Sequence, residues 1–76
     1  MKVHVTLDLE LLGSPELRRK VTDRIVVESG MKAVNVRRAE RYGVVSGLVE
    51  PNVLRVIKAI PGVKSCELDE ERKALG

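Results

Sequence analysis

The sequence contains few or none of several residue types on which common functions depend. Its 76 residues include one tyrosine as the only aromatic side chain, one cysteine and one histidine. A single cysteine cannot form an internal disulfide and cannot supply a multi-cysteine metal site. No apolar run approaches the roughly 18 residues that a membrane span requires. The sequence therefore predicts no membrane association, no metal and no cofactor.

The shortage of aromatic residues also argues against a nucleic-acid partner. The chain carries 14 basic and 11 acidic residues, a net charge of +3, and Arg37, Arg38 and Arg41 form its clearest basic cluster. RNA-binding sheets of this size stack bases on strand aromatics, whereas the only aromatic here is Tyr42. Nucleic-acid binding through the three arginines is therefore the least favoured of the functions considered, and we expect no such partner.

The sequence offers no constellation of catalytic groups. His4 falls on the polar phase of the first predicted strand, where a solvated imidazole is expected rather than a catalyst. Cys66 falls on the inward phase of the last strand, where a free cysteine behaves as a small hydrophobe. The glycines occur singly and form no phosphate-binding loop. We therefore expect the chain not to be an enzyme.

The amino terminus gives the only indication of cellular location. Asp8 and Glu10 stand where a secretory signal would have its uninterrupted apolar segment. The sequence therefore predicts a cytoplasmic chain.

The first half of the chain predicts one strand and one helix. Residues 2 to 9 alternate apolar and polar side chains, which indicates a half-buried strand. Ser14 and Pro15 then form a typical helix start, and Gly30 is suited to ending that helix. The predicted buried stripe of the helix consists of Leu17, Val21 and Ile25.

The second half predicts two further strands, a helix and a last strand. Residues 31 to 36 alternate like a strand, and Tyr42 and Gly43 are expected to turn the chain into a partner strand at 44 to 49. Pro51 opens the second predicted helix, with a buried stripe of Val53, Val56, Ile57 and Ile60. Pro61 and Gly62 end it, and the last strand begins at Val63.

This order of elements predicts an α+β fold of the ferredoxin-like plait type, βαββαβ. Such a plait has a four-stranded antiparallel sheet with two helices on one face. We expect residues 1–69 to form this single domain and residues 70–76 to form an extended carboxyl-terminal tail. The other face of the sheet would be open to a partner protein, or to a second copy of the chain in a homodimer. The predicted contacts on that face are Val44, Ser46, Leu48, Asn35 and Arg37.

The stretch Tyr42 to Leu75 resembles the second half of the subtilisin-propeptide family, which includes free-standing inhibitors of similar length. The shared features are an aromatic-glycine turn, a strand with a small inward residue (Gly47), a helix opened near a proline, and a passage from Leu54 to Val63. An acid-x-acid motif follows, here residues 67 to 69.

The resemblance implies a function as well as a fold. In that family the open sheet face lies over two surface helices of a subtilisin-type serine protease, and acids after the last strand cap those helices. Glu67 and Asp69 would be the capping acids. The tail enters the substrate cleft like a product, and Leu75 would fill the main specificity pocket. A folding-chaperone role is implied too. With no signal and no protease domain behind it, the chain would act in trans. The predicted cleft residues are Arg72, Lys73, Ala74, Leu75 and Gly76.

One alternative function uses the same fold. A small regulatory or assembly module of the ACT-like type would dimerise and bind a metabolite near the loop that joins the first strand to the first helix, residues 12 to 15.

Overall fold

The structure is a computed structural model that describes residues 1–69 of the chain. It is an α+β fold with a three-stranded antiparallel sheet. The predicted cleft residues 72–76 lie outside the described residues. The elements, in chain order, are β1 (Lys2–Leu7), α1 (Pro15–Ser29), α2 (Val36–Tyr42), β2 (Val44–Leu48), a 3-10 turn (Pro51–Val53), α3 (Leu54–Ala59) and β3 (Val63–Leu68).

The central strand of the sheet is β1, and the strand order is β2-β1-β3. Val5 lies opposite Val45 on one side and opposite Cys66 on the other. The β1–β3 register shifts between Thr6 and Leu7. β1 is shorter than predicted: it ends at Leu7 rather than at residue 9, and Leu9 is half exposed.

The core lies on one face of the sheet and is built from every helix. Ile25 of α1, Ala39 of α2 and Ile57 of α3 are each fully buried. They join the inward side chains of the strands in one apolar cluster. The strand members of this cluster are Val3, Val5, Leu7 and Val45.

Helix α1 has the predicted ends. The Ser14 hydroxyl accepts a hydrogen bond from the Leu17 N–H, Pro15 is the first helical residue, and the chain leaves the helix at Gly30. The buried stripe differs from the prediction, because Leu17 is 43% exposed whereas Thr22 is fully buried. Thr22 tolerates burial because its hydroxyl donates to the Arg18 carbonyl at 2.8 Å.

Helix α3 begins and ends near the predicted positions. Pro51 opens a 3-10 turn that continues into the helix, and strand β3 follows from Val63. Ile57 and Ile60 are buried as predicted, whereas Val56 is 40% exposed.

The predicted second strand is wrong, and so are the hairpin and the four-stranded plait built on it. Only Lys32 pairs, in a single bridge with Leu48. Ala33 then adopts a positive φ of 60°, which turns the chain out of the sheet. The Asn35 side chain accepts a hydrogen bond from the Arg38 N–H at 3.2 Å and caps α2.

The residues of α2 explain why a helix forms where a strand was predicted. Its sequence, VRRAERY, consists largely of good helix formers, and Ala39 buries fully against the core. Gly43 ends it with a left-handed φ of 69°, which glycine adopts without steric cost. Gly43 is therefore a helix cap rather than a hairpin turn.

Candidate functional site

The sheet face opposite the core carries polar and exposed side chains and is covered by no helix among the described residues. We call it the open face. Its side chains alternate with the buried ones along each strand, and the three strands place them in rows. The first row begins with Leu48 and Lys2, the second is Ser46, His4 and Glu67, and the third is Val44, Thr6 and Ser65.

The three predicted contacts from strand β2 lie together on this face. Val44 and Ser46 are half-buried, and Leu48 is 49% exposed. Together they form a low ridge along the strand, apolar at both ends and polar in the middle. An exposed aliphatic side chain beside small neighbours suits contact with a protein surface.

Asn35 and Arg37 do not belong to the open face, which corrects the prediction for both. Asn35 caps α2, and Arg37 lies in the first turn of that helix, exposed to solvent. Their predicted position depended on a second strand that the chain does not form.

The two acids of the acid-x-acid motif lie at the end of β3. Glu67 lies opposite His4 and is exposed. The Asp69 N–H donates to the Lys2 carbonyl at 3.0 Å, so Asp69 continues the pairing one residue beyond the strand. Both acids therefore lie near the point where the chain passes into residues 70–76.

A polar network crosses the open face from strand to strand. Nδ1 of His4 and the Ser46 hydroxyl form a 2.7 Å hydrogen bond, and Nε2 of His4 lies 3.5 Å from an Asp69 carboxylate oxygen. Nζ of Lys2 lies 3.8 Å from the same oxygen. His4 is thus held by two neighbours, where the sequence predicted a solvated imidazole. The pairing was not visible in the sequence because these strands are more than forty residues apart.

The network contains a serine, a histidine and an aspartate, but its geometry differs from that of a hydrolase. In hydrolases the serine contacts Nε2 and the acid contacts Nδ1, and N–H donors converge on the substrate oxygen. Here Ser46 contacts Nδ1, and the backbone N–H groups around it lie in the plane of the sheet. We therefore propose no reaction at this network.

The loop between β1 and α1, where an ACT-like module would bind its metabolite, is held in place by hydrogen bonds within the chain. The Arg18 guanidinium donates to the carbonyls of Leu12 at 3.0 Å and Gly13 at 3.4 Å, and to the Glu40 carbonyl. Leu12 is also buried. The carbonyl groups of Leu12, Gly13 and Glu40 therefore accept hydrogen bonds that join α1 to this loop and to α2.

A depression lies at the free edge of β2, and we call it the edge pocket. It has a volume of about 350 Å³ and lies between strand β2 and the start of α2. Its lining residues are Lys2, Ala33, Asn35, Arg38, Ser46, Gly47 and Leu48. No pattern in the sequence indicates this pocket, because it exists only where the predicted second strand is missing.

Cys66 lies on the inward side of β3, half-buried and packed against the core. Burial raises the pKa of its thiol, nearby Lys58 opposes that rise, and Glu67 adds to it. A thiol with a raised pKa is a poor nucleophile at neutral pH.

Within residues 1–69, no group of three or more histidine, cysteine or acidic side chains is placed to hold a metal ion. None of the helices in that part of the chain has the length and apolar content that crossing a lipid bilayer requires. Comparison of the chain with protein-family models, with curated proteins and with solved structures finds no match. The function is therefore inferred from the residues and geometry of the open face.

Proposed function

We propose that this chain is a protein-binding module of the subtilisin-propeptide type, an inhibitor that docks its open face on a subtilisin-type serine protease. The observation that carries the proposal is the arrangement of this face. An uncovered sheet surface, with an aliphatic ridge on β2, has two acids at the end of β3, where residues 70–76 begin. Binding and delivery of a tail would then be performed by neighbouring parts of one surface.

The ridge supplies the apolar part of the proposed contact. Leu48 and Val44 flank Ser46 along one strand, so a partner helix laid along β2 would cover both aliphatic side chains. Burying apolar surface contributes about 25 cal/mol per Å² removed from water. The half-buried Ser46 beside them leaves room for side chains of the partner.

The two acids differ in how readily they can reach a partner. Asp69 is largely buried and lies close to Lys2 and His4, whose positive charge or hydrogen-bonding groups compete with any partner. Glu67 is exposed at the same face. A carboxylate at the amino terminus of a partner helix gains about 0.3 to 1 kcal/mol. We therefore assign the main helix-capping role to Glu67, with Asp69 mainly ordering the end of the sheet.

The tail is the second part of the proposal. Leu75 would enter the main specificity pocket of the protease, with Arg72 three residues before it and Gly76 beyond. The docked domain would hold the tail in the cleft like a retained product, which requires a stable core.

Steady-state hydrolysis of a chromogenic peptide by a subtilisin-type protease tests the proposal. The full chain should inhibit, and a variant ending at Glu71 should not. Leu75→Asp keeps the length of the tail and should weaken inhibition about thirtyfold or more, the equivalent of a 2 kcal/mol hot spot.

Separate variants test the docking face. Glu67→Gln should weaken inhibition about two- to fivefold, the equivalent of 0.3 to 1 kcal/mol. The matched control is Glu10→Gln, the same chemical change in the exposed loop after β1, which should leave inhibition unchanged. A full chain that inhibits none of several subtilisin-type proteases would overturn the proposal. Equal inhibition by the full chain and by the variant ending at Glu71 would remove the tail from it.

A further inference from the structure

We propose that the edge pocket binds an extended acidic peptide segment of a partner protein, which pairs its backbone with the free edge of β2. The inference concerns a site at the margin of the open face, with which it shares Lys2, Ser46 and Leu48, and does not depend on whether the partner is a protease. It rests on the unused backbone edge of β2, on the space next to that edge and on the charge of the side chains around it.

Among the described residues, the edge of β2 that faces away from β1 is paired at one residue only, where Leu48 bridges to Lys32. Gly43 and Val49, which flank the strand, share hydrogen bonds with Leu7 and Met1, so the backbone groups of the even-numbered residues between them point to the opposite edge. At that edge, Leu48 and Lys32 exchange two hydrogen bonds of 2.8 and 3.0 Å. In the part of the chain that the structure describes, this ladder continues no further, and the backbone N–H and C=O of Ser46 face the edge pocket.

The chain leaves this position abruptly. Ala33, directly after the bridge, has a φ of 60°, a region that non-glycine residues rarely occupy. The turn carries Asn35 and Arg38 away from β2 and leaves the pocket between them and Ser46. The vacant space therefore lies where a neighbouring strand would run.

The pocket has the size and charge for a short acidic segment. Its volume of about 350 Å³ is at the lower end of the range for ligand sites, about 300 to 1,000 Å³. The charged side chains that line it, Lys2 and Arg38, are both cationic, and the Lys2 side chain is 55% exposed although its ammonium lies 3.8 Å from an Asp69 carboxylate oxygen. Arg38 is exposed and forms no ion pair with another residue among 1–69, and guanidinium groups favour bidentate contact with carboxylates.

These features together favour strand addition over capture of a free anion. An extended peptide can satisfy the edge-facing groups of Ser46 while its carboxylates contact Lys2 and Arg38. Backbone pairing supplies affinity in such complexes, and side-chain contacts supply selectivity. Exposed sheet edges are otherwise commonly protected against unwanted pairing, and the positive charges here would repel basic segments.

The test is a titration of the full ¹⁵N-labelled chain, followed by two-dimensional NMR, with a capped octapeptide of alternating valine and glutamate. We expect saturable shifts of the amide signals of Ser46, Gly47 and Lys32. The same peptide with lysine in place of glutamate should give no saturable shifts. Two further forms of the octapeptide separate backbone pairing from charge. One is N-methylated at its odd-numbered residues and the other at its even-numbered residues, so each form lacks the N–H groups of one edge of the added strand. At least one of them should bind about tenfold more weakly, as loss of edge hydrogen bonds predicts.

Two variants with the same charge change locate the site. Arg38→Glu, in the pocket wall, should weaken binding about tenfold or more. Arg37→Glu, the neighbouring exposed residue of the same helix turn, should change affinity less than about twofold, because Arg37 does not line the pocket. Both positions are exposed, so both variants should keep the native spectrum.

Four results would overturn the inference. One is the absence of shifts along β2 at millimolar peptide. The second is binding of both N-methylated forms as tight as that of the unmethylated peptide, and the third is the same shifts from acetate at an equal concentration of carboxylate, because either would reduce the site to a simple anion site. The fourth is a set of shifts that follows the concentration of the chain without peptide, which would assign the edge to a second copy.

Discussion

The two faces of the sheet are built from alternate residues of the same strands and differ in almost every property. On the inward face, Val3, Val5 and Val45 are completely buried. On the open face, Lys2, His4 and Ser46 occupy the positions next to them in sequence and make polar contacts across strands. One residue along a strand therefore separates a position that stabilises the fold from one that is free to contact a partner.

The largest expected loss of stability concerns the inward face, and it is found at a residue of α3 that packs against that face. Ile57 is completely buried, and Ile57→Ala should lower the free energy of unfolding by about 2 to 5 kcal/mol. Val56→Ala, one residue earlier and 40% exposed, should cost less than about 1.5 kcal/mol. Urea denaturation measures both values.

The same pair of variants relates stability to inhibition. If the chain inhibits a subtilisin-type protease as proposed, Ile57→Ala should be cleaved as a substrate, because its tail is no longer held by a firmly folded domain. Val56→Ala should remain an inhibitor. Unchanged inhibition by an Ile57→Ala variant that is shown to be less stable would contradict this link between the core and the tail.

The sharpest contrast between the faces lies within β2, at two neighbouring residues. A Cβ added at Gly47 would lie 2.5 Å from Cγ of Met31 and 2.7 Å from the Lys32 carbonyl oxygen. Gly47→Ala should therefore destabilise the fold by about 1 to 3 kcal/mol, because the backbone oxygen belongs to the bridge at the edge of the sheet and cannot move freely.

Ser46→Ala is the matched control for Gly47→Ala. It removes the hydrogen bond to His4 on the open face and should cost no more than about 1.5 kcal/mol, because both groups are only half-buried and water can replace the contact. Thermal unfolding of the two variants compares the faces directly. Equal loss at both positions would mean that the open face is as tightly constrained as the core.

The comparison of the faces also shows what the sequence could predict. Alternation correctly placed Val3, Val5 and Leu7 on the inward face of β1, since a strand places successive side chains on opposite faces, whereas Leu9, predicted to continue that face, lies beyond the strand and is half exposed. The start of α1 at Ser14 and Pro15 was predicted for local reasons that the structure confirms. Local chemistry and strict periodicity therefore gave the reliable part of the fold.

The errors came from a segment where two local signals conflicted. Val34 and Val36 alternate like a strand, whereas Asn35 and Gly43 are helix caps around a run of helix formers. The caps proved decisive because Ala39 packs into the core from a helix. The His4 network and the edge pocket could not be predicted, since both depend on the register of strands and bridges that are distant along the chain.

The smallest expected effect is on the reactivity of the Cys66 thiol. This residue is intermediate between the buried positions of the inward face and the exposed positions of the open face. It points to the inward face but lies on an edge strand, and its burial is only partial. Burial raises the pKa of its thiol, so at neutral pH the thiolate fraction is smaller than in an unfolded chain. A disulfide reagent should therefore modify the native protein more slowly than the urea-unfolded protein at the same pH.

The raised pKa of the Cys66 thiol also determines how the stability of the fold depends on pH. The folded protein holds the thiol proton more tightly than the unfolded chain, so the contribution of the thiol to stability is complete below the unfolded pKa. It is lost as the pH rises through the folded pKa. Cys66→Ser should remove this loss of stability at alkaline pH.

Two charge-removing variants test the neighbours of the thiol. Glu67→Gln should lower the pKa of Cys66 and speed its modification by the disulfide reagent, whereas Lys58→Met should slow that modification, because Glu67 and Lys58 shift the pKa in opposite directions. Equal rates in the two variants would show that burial alone controls the thiol.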